Sequence, residues 1–588
     1  MKGRASVVTQ SSHTWVRCWH CGSLALLVLL AACGLAPVGV AQDTDEAPLN
    51  ASGGELLADQ ACYDVLHYDL TLAIDTSAQT IDGQLIMTAA VLAASEQIAL
   101  DLDNRLTVSA VSVNGQPASW DHSDGRIVLT GLALKPGASI AVGVSYGGAP
   151  RVAPNPPWDG GFTWETTDDG SPWVATSCQG EGADLWWPCK DHPSDKPEGM
   201  DLRFDVSADL VAASNGVLVS NTLIGQGKRR FHWRTEQPIS NYCVALNLGP
   251  YVTVSTVVEG VSGDDFPFVF YVLPENVAAA RAALPDFVDH LRFFEQTIGP
   301  YPFRAEKYGL VETPHLGMEH QTIVAYGNRY RQGSEDYDWL HHHEASHEWW
   351  ANLVTAADWK DMWIHEGFGT YMQALYLEQR FGVDSYRAKM ASARAQLNNR
   401  RPVAPRETRD SKQIYFGQDG AFDNDIYDKG SWVLHALRWV LGDEPFFAGL
   451  KRVAYPTAEH ALATDGSQVR LVDTEEVRAL FEETAGRDLA RFFEVYLRQP
   501  ELPELLVSRE GAVLSLRWQV ADGGPLEVPV PVEIDGRSVR VAMPGGRGQI
   551  DLAAASRQQG SRPGSGPDAV EVLIDPHGWL LRAEPGQH

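Results

Sequence analysis

Two histidines and a glutamate at a fixed spacing constrain this chain more than any other feature. His343 and His347 stand four residues apart, and Glu366 follows His347 after eighteen intervening residues. Positions i and i+4 lie on one face of a helix, so both imidazoles can bind one ion, with Glu344 beside them. Glu366 lies in a second apolar-periodic segment, from which a neighbouring helix can present it. Two histidines and one carboxylate form a catalytic rather than a structural zinc site, because the fourth position stays open for water.

A chance His-Glu-x-x-His string on a solvated helix face is the competing interpretation of this motif. Glu366 argues against it, because it supplies the third ligand that such a chance string lacks. His341 and His342 extend the histidine run, but only the register of His343 places a Glu next to a His with a second His four residues on. We interpret His341 and His342 as residues that enter the helix.

The hydrophobic periodicity changes twice along the 588 residues. Residues 57–250 alternate between apolar and polar positions, which predicts a β-rich N-terminal domain with a hairpin at Asn114-Gly115. Residues 251–500 have helical spacing and contain the metal motifs, and residues 501–588 alternate again. We therefore predict a multidomain α+β fold with a mixed α/β domain over 251–500 and a small β-sandwich over 501–588. The apolar positions that define these periods are Tyr68, Leu70, Leu72, Ile74, Leu284, Phe287, Leu291, Phe294, Leu514, Leu516, Trp518 and Val520.

Residues 1–41 have the pattern of an export signal. Basic residues precede an apolar run from Ser23 to Ala32 that is too short to span a bilayer as a mature helix. Two endings remain open: a lipoprotein box with a lipidated Cys33 and a signal ending at residue 32, or ordinary cleavage after Ala41. The polar, acidic stretch that follows argues against a buried N-terminal helix. We expect a bacterial protein that is periplasmic, secreted or anchored to the outer membrane as a lipoprotein, with no transmembrane helix after the signal.

Charge and cysteine usage limit the partners and the covalent chemistry. A formal net charge of −29 repels phosphate backbones and argues against nucleic acid or an anionic membrane as a partner. Cys18 and Cys21 precede the apolar run and belong to the signal. Export permits a disulfide between Cys178 and Cys189, the nearest remaining pair, but the sequence does not fix the connectivity. The oligomeric state is open.

The metal motif lies within a longer set of landmarks. The segments His343–Thr355 and Trp363–Phe368 together resemble the aminopeptidase N family of zinc metallopeptidases, the gluzincins. Upstream, Leu316–His320 is similar to that family's exopeptidase motif Gly-Ala-Met-Glu-Asn, and downstream Tyr427–Gly430 is similar to its Tyr-x-Lys-Gly segment. Cys178-Gln179, Trp187-Pro188-Cys189 and Asp191 resemble the family segment that helps to hold the substrate amino terminus.

The resemblance implies a hydrolase, a metallo-aminopeptidase with one zinc ion per chain and peptides as substrates, and the pattern of residues 1–41 predicts that it is exported. Its fold would be an N-terminal β saddle, a thermolysin-like catalytic domain and a C-terminal β-sandwich. Many relatives carry a further large helical domain that this chain lacks, from which we expect a more open cleft.

The family's functional residues carry over onto matching positions here. His343, His347 and Glu366 would bind zinc, and Glu344 would take a proton from water as general base. Tyr427 would donate to the developing oxyanion, although the sequence by itself favours a packing residue at a helix start. Glu319 would bind the free α-amino group, against the alternative of a surface acid. Gln179 would add a neutral acceptor for the same group, and the main chain of Gly317 and Met318 would align the substrate.

Two departures from the family pattern concern specificity rather than chemistry, and a third concerns the surroundings of a metal ligand. His320 replaces an Asn and Leu316 a Gly in the exopeptidase motif, and His365 stands where Asn is usual before the third ligand. Two alternative functions stay open. One is hydrolysis of a lipid epoxide at the same zinc site, with Asp419 directing water, and the other is a catalytically inactive peptide-binding protein.

Overall fold

β-strands with alternating burial make up the first part of the chain. The computed structural model describes residues 51–417, 420–557 and 570–583, so the predicted export signal, Cys33 and Asp419 lie outside the described residues. The first elements are α1 (Ala58–Ala61), β1 (Tyr63–Asp75), β2 (Thr80–Val91), β3 (Ser95–Asp101), β4 (Leu106–Val113), β5 (Gln116–Pro117), β6 (Ser119–Ser123), β7 (Arg126–Leu134), β8 (Ser139–Gly148), β9 (Gly161–Thr166), β10 (Pro172–Ser177), β11 (Gly199–Ser207), β12 (Val211–Ala213), β13 (Val217–Gly225), β14 (Lys228–Thr235) and β15 (Asn247–Gly249).

Most of these strands join one large sheet in the order β13-β14-β11-β1-β2-β8-β4-β5. The predicted alternation holds along β1, where Tyr68, Leu70, Leu72 and Ile74 are all buried. The predicted hairpin joins β4 to β5, and both turn residues have positive φ, 51° at Asn114 and 76° at Gly115, as a tight two-residue turn requires. Two smaller sheets, β12-β15-β10-β9 and β3-β7-β6, complete the β-rich part.

The middle part of the chain, where the sequence has helical periodicity, contains both a five-stranded sheet and a set of helices. The sheet has the order β16-β17-β18-β20-β19, which places β19 at an edge. The elements are β16 (Val252–Val258), β17 (Phe266–Val272), α2 (Val277–Thr297), β18 (Tyr308–Glu312), β19 (Gly317–Met318), β20 (Val324–Tyr326), α3 (Trp339–Ser346), β21 (Val354–Ala356), α4 (Trp363–Phe381), α5 (Val383–Arg394), α6 (Ser411–Tyr415), α7 (Asp428–Leu441), α8 (Asp443–Ala454), α9 (Ala458–Leu462), β22 (Arg470–Val472), α10 (Thr474–Ala485) and α11 (Ala490–Leu497).

The last part is again built of strands, in two three-stranded sheets of order β23-β24-β27 and β26-β25-β28. Leu514, Leu516 and Trp518 point inward from β24, as the alternation predicts. These observations confirm the predicted fold class. The elements are β23 (Glu504–Glu510), β24 (Val513–Gln519), β25 (Val530–Ile534), β26 (Arg537–Val541), β27 (Arg547–Asp551), α12 (Leu552–Arg557) and β28 (Val572–Ile574).

The described residues form one compact unit, so the domain boundaries at 250 and 500 stay predictions. None of the described helices is long and apolar enough to cross a membrane. Cys178 and Cys189 are buried free thiols, so the disulfide that the sequence left open is not formed in the structure.

Candidate metal centre

Helices α3 and α4 bring the three predicted ligands to one point. Asp338 caps the start of α3 by accepting a hydrogen bond from the backbone of His341, and α3 then carries His343 up to the site. The Nε2 atoms of His343 and His347 lie 3.3 Å apart, and each lies 3.5 Å from Oε2 of Glu366 on α4. Among the described residues this is the only group of three or more His, Cys, Asp or Glu side chains whose atoms could share a metal ion.

The spacing of these three atoms fits zinc. A tetrahedral zinc ion with bonds of about 2.0–2.1 Å to nitrogen and oxygen separates its ligand atoms by about 3.4 Å. Glu366 is 2% exposed, and its Oε2 has no hydrogen-bond partner, which is costly for a buried carboxylate oxygen unless a cation binds it. The donor set, its spacing and this free oxygen therefore match a zinc site.

A break in the helix orients the second histidine. The sequence predicts a continuous helix through His343 and His347, but α3 ends at Ser346 and Trp350 has a non-helical backbone, with φ −103° and ψ 64°. The break turns the Trp350 carbonyl towards His347, whose Nδ1 lies 2.9 Å away and donates to it. The other ring nitrogen, Nε2, is then the one with a lone pair for the metal.

Glu344 lies against the edge strand β19. A Cβ atom on Gly317 would lie 2.6 Å from Oε1 of Glu344 and 2.8 Å from Leu340, so glycine is needed for the carboxylate to occupy this position. Burial, and then the charge of Glu319, raise the pKa of Glu344. Met318, next on the same strand, is also buried. The structure thus brings the predicted general base and the predicted substrate-aligning strand together.

Glu319 and Gln179 meet as the sequence predicts. The Oε1 atom of Glu319 accepts a hydrogen bond of 2.6 Å from Nε2 of Gln179 and one of 2.9 Å from the hydroxyl of Tyr242. The Glu319 side chain is 3% exposed, and burial raises its pKa, while the nearby His347 lowers it. Sequence reasoning missed Tyr242, because a single tyrosine in a loop has no pattern that marks it.

Two tyrosines contact the ligands, one at the start of α7 and one at the end of α6. The ring of Tyr427, at the start of α7, stacks on His343 with centroids 6.2 Å apart, and burial raises the pKa of this phenol. Gly367 and Gly430 allow this approach, because a Cβ on Gly430 would lie 2.9 Å from the Cα of Gly367 on α4. Tyr415, which the sequence did not indicate, donates a 3.3 Å hydrogen bond to Oε1 of Glu366.

The two histidines that depart from the family pattern are buried, and burial lowers the pKa of each to about 3. His365 accepts a 2.9 Å hydrogen bond through Nε2 from the backbone of Ala356 and so holds β21. Neither ring nitrogen of His320 has a hydrogen-bond partner. Leu316 is partly buried and packs against the apolar core.

Comparison with known protein families gives two successive matches. The family described as the peptidase M1 N-terminal domain matches residues 65–243, and the peptidase family M1 domain matches residues 290–494. The second match contains all three candidate ligands. Together the two matches span most of the described β-rich and helical parts.

Individual relatives are distant. The chain is 26% identical to aminopeptidase M1-C of Oryza sativa subsp. japonica over 352 residues, which is 56% of this chain and 37% of that protein. It is also 26% identical to endoplasmic reticulum aminopeptidase 1 of Mus musculus over 338 residues, 50% of this chain and 34% of that protein. The chain thus spans little more than a third of the length of these relatives.

Solved structures share the fold. A crystal structure of a mutant M1 zinc metallopeptidase from Deinococcus radiodurans bound to a Tyr-ser-ala substrate is 24% identical, with a TM-score of 0.61, and the match covers 76% of this chain and 96% of that one. A second structure of the mutant is 25% identical, with the same TM-score and coverage.

Proposed function

Because this chain belongs to the peptidase M1 family, we propose that it is a zinc-dependent aminopeptidase, which hydrolyses the N-terminal peptide bond of peptides. One observation carries this proposal beyond zinc hydrolysis in general. The Glu319 carboxylate is buried, and the nearby charges of His347 and Glu366 shift its pKa. The two side chains that donate hydrogen bonds to it, Gln179 and Tyr242, are both neutral.

A free α-ammonium group is the cation that suits this carboxylate. A buried carboxylate is stable as an anion when a positive charge pairs with it, and a peptide amino terminus supplies that charge. Gln179 offers its amide oxygen to the same group. A carboxylate placed this close to the metal also blocks longer substrates, because no chain can extend past a side chain that closes the site. Both effects favour removal of single residues.

The residues around the metal divide the chemistry between them. A zinc ion held by His343, His347 and Glu366 would polarise the scissile carbonyl and make water acidic enough to attack near neutral pH. Glu344 takes the proton of the attacking water and passes it to the leaving amine.

The developing negative charge and the substrate backbone need further groups. The phenol of Tyr427 donates a hydrogen bond to the carbonyl oxygen as that atom becomes negative. The edge strand β19 offers the main chain of Gly317 and Met318 to align the substrate as an added strand.

Paired substrates test this function. A panel of fluorogenic aminoacyl amides, each with its N-acetylated form, is given to the wild type, Glu344→Gln and Glu319→Ala. Glu407→Gln is the matched control, since the Glu407 side chain is 73% exposed. We expect the wild type and the control to cleave the free amides alone and at equal rates. Glu344→Gln should abolish this cleavage, and Glu319→Ala should strongly weaken it. Zinc-loaded protein that cleaves none of the amides would refute the proposal and direct attention to lipid epoxides or to peptide binding.

Export is a separate proposal, supported by the basic start and the apolar run over residues 23–32. Mass spectrometry of the protein isolated from its native host identifies the mature amino terminus. A lipid-modified Cys33 indicates an anchored lipoprotein, and a start at Gln42 indicates ordinary cleavage. An intact Met1 in the isolated protein would contradict export by either route.

A further inference from the structure

Asn352 lies between the segment that follows helix α3 and Glu319, the residue directly after strand β19. It is fully buried and follows the helix break after His347. Its backbone N–H donates to the His347 carbonyl at 2.9 Å. Its side-chain Nδ2 donates to the Glu319 carbonyl at 3.0 Å. One residue therefore links the backbone of a metal ligand to the backbone of the predicted amine-binding residue.

Two further contacts fix Asn352 in this orientation. The Cys243 thiol donates to Oδ1 of Asn352 at 3.2 Å, so the amide must direct its NH₂ group at Glu319. The ammonium group of Lys196, from the N-terminal β part, donates to the Asn352 carbonyl at 2.7 Å and to Oγ1 of Thr355 at 2.8 Å. The side chain and the backbone of Asn352 are thus held independently.

We propose that Asn352 is a positioning residue that sets the distance between the amine-binding carboxylate of Glu319 and the metal ligands. This inference rests on the proposed function. Gln179 and Tyr242 hold the carboxylate end of Glu319, whereas Asn352 holds its backbone. Loss of the amide donor frees the Glu319 backbone while the metal ligands keep their own contacts. Substrates that depend on Glu319 are then bound less well.

Asn352→Asp is the sharpest substitution, because it keeps the size of the side chain and replaces the NH₂ donor by an oxygen that faces the Glu319 carbonyl. Asn352→Ala removes the donor without this repulsion. One lost hydrogen bond of ordinary strength corresponds to a loss of roughly 3- to 10-fold in kcat/KM for free aminoacyl amides. We expect this loss to appear as a higher KM with kcat nearly unchanged, and with zinc content unchanged.

A double-mutant cycle with Glu319→Ala separates this role from general destabilisation. If Asn352 acts through Glu319, Asn352→Ala causes no further loss in the Glu319→Ala background. Asn247→Ala, at an equally buried asparagine, is the control and should leave KM unchanged. Losses that multiply in the double variant, or a fall in zinc content, would overturn the proposal.

Cys243 provides a second, milder test that does not depend on the folding of the Asn352 variants. Cys243→Ala removes the donor that orients the Asn352 amide and should raise KM, whereas Cys243→Ser keeps a donor and should restore it. Equal KM values for the two variants count against the positioning role. A wild type that cleaves no free amide refutes the aminopeptidase function itself, whereas an active wild type with multiplicative losses refutes the role of Asn352 alone.

Discussion

Replacing Gly317 by alanine should displace the Glu344 carboxylate. The new Cβ would lie 2.6 Å from Oε1 of Glu344, whereas ordinary contacts of a Cβ begin at about 3.4 Å. The carboxylate must therefore retreat by about 0.8 Å, because the backbone strand is paired with β20 and cannot move freely. Misplacement of a catalytic group by about 1 Å costs on the order of 100-fold, so we expect kcat to fall by roughly 30- to 100-fold.

The assay is steady-state hydrolysis of a free aminoacyl amide, with zinc content and the free energy of unfolding measured on the same preparations. The KM should change little, because Glu319 and Gln179 are untouched. Overpacking should cost about 1–3 kcal/mol of stability. Gly333→Ala is the matched control, since a Cβ there first meets Trp339 at 3.4 Å. A Gly317→Ala enzyme with wild-type kcat would refute the placement of Glu344 against this strand.

Three further perturbations have defined outcomes. Tyr427→Phe should lower kcat by about 10²- to 10³-fold with little change in KM, because the phenol acts on the transition state; an unchanged kcat in the amide assay contradicts this role. Chelation should abolish hydrolysis and lower the Tm, and zinc should restore both, because the ligands bind the ion only when folded; a Tm that is insensitive to chelator counts against the site. His290, His320 and His435 should each contribute a loss of stability as pH falls from 6.5 towards 4, because burial lowers their folded-state pKa to about 3, while the unfolded chain binds these protons near 6.5. Each contributes about 1.4 kcal/mol per pH unit, and His435→Phe should flatten the slope in urea titrations at pH 7, 6 and 5.

Much of the fold follows from local pattern. The alternation of Leu514, Leu516 and Trp518 and the turn at Asn114-Gly115 determine strands and a hairpin, because side-chain period and turn chemistry are local properties. The metal ligands could also be predicted from the sequence, because the i, i+4 spacing on one helix and a glutamate on the next nearly fix their geometry.

The parts that the sequence did not indicate depend on contacts between distant segments. Tyr242 and Tyr415 reach Glu319 and Glu366 across 77 and 49 residues of chain, and no local pattern marks either one. The end of α3 at Ser346 depends on a local contact, since the Trp350 carbonyl lies only three residues after His347, but no glycine or proline between Ser346 and Asn352 marks the break in the sequence. The role of Asn352 follows only from the positions of the His347 and Glu319 carbonyls in the folded chain.

The most direct test is mass spectrometry of an unmodified decapeptide and its N-acetylated form after incubation with the zinc-loaded protein. The account predicts stepwise loss of single residues from the free amino terminus and an intact acetylated peptide, because the Glu319 carboxylate requires an ammonium group. Internal fragments, or equal cleavage of the acetylated peptide, would contradict it.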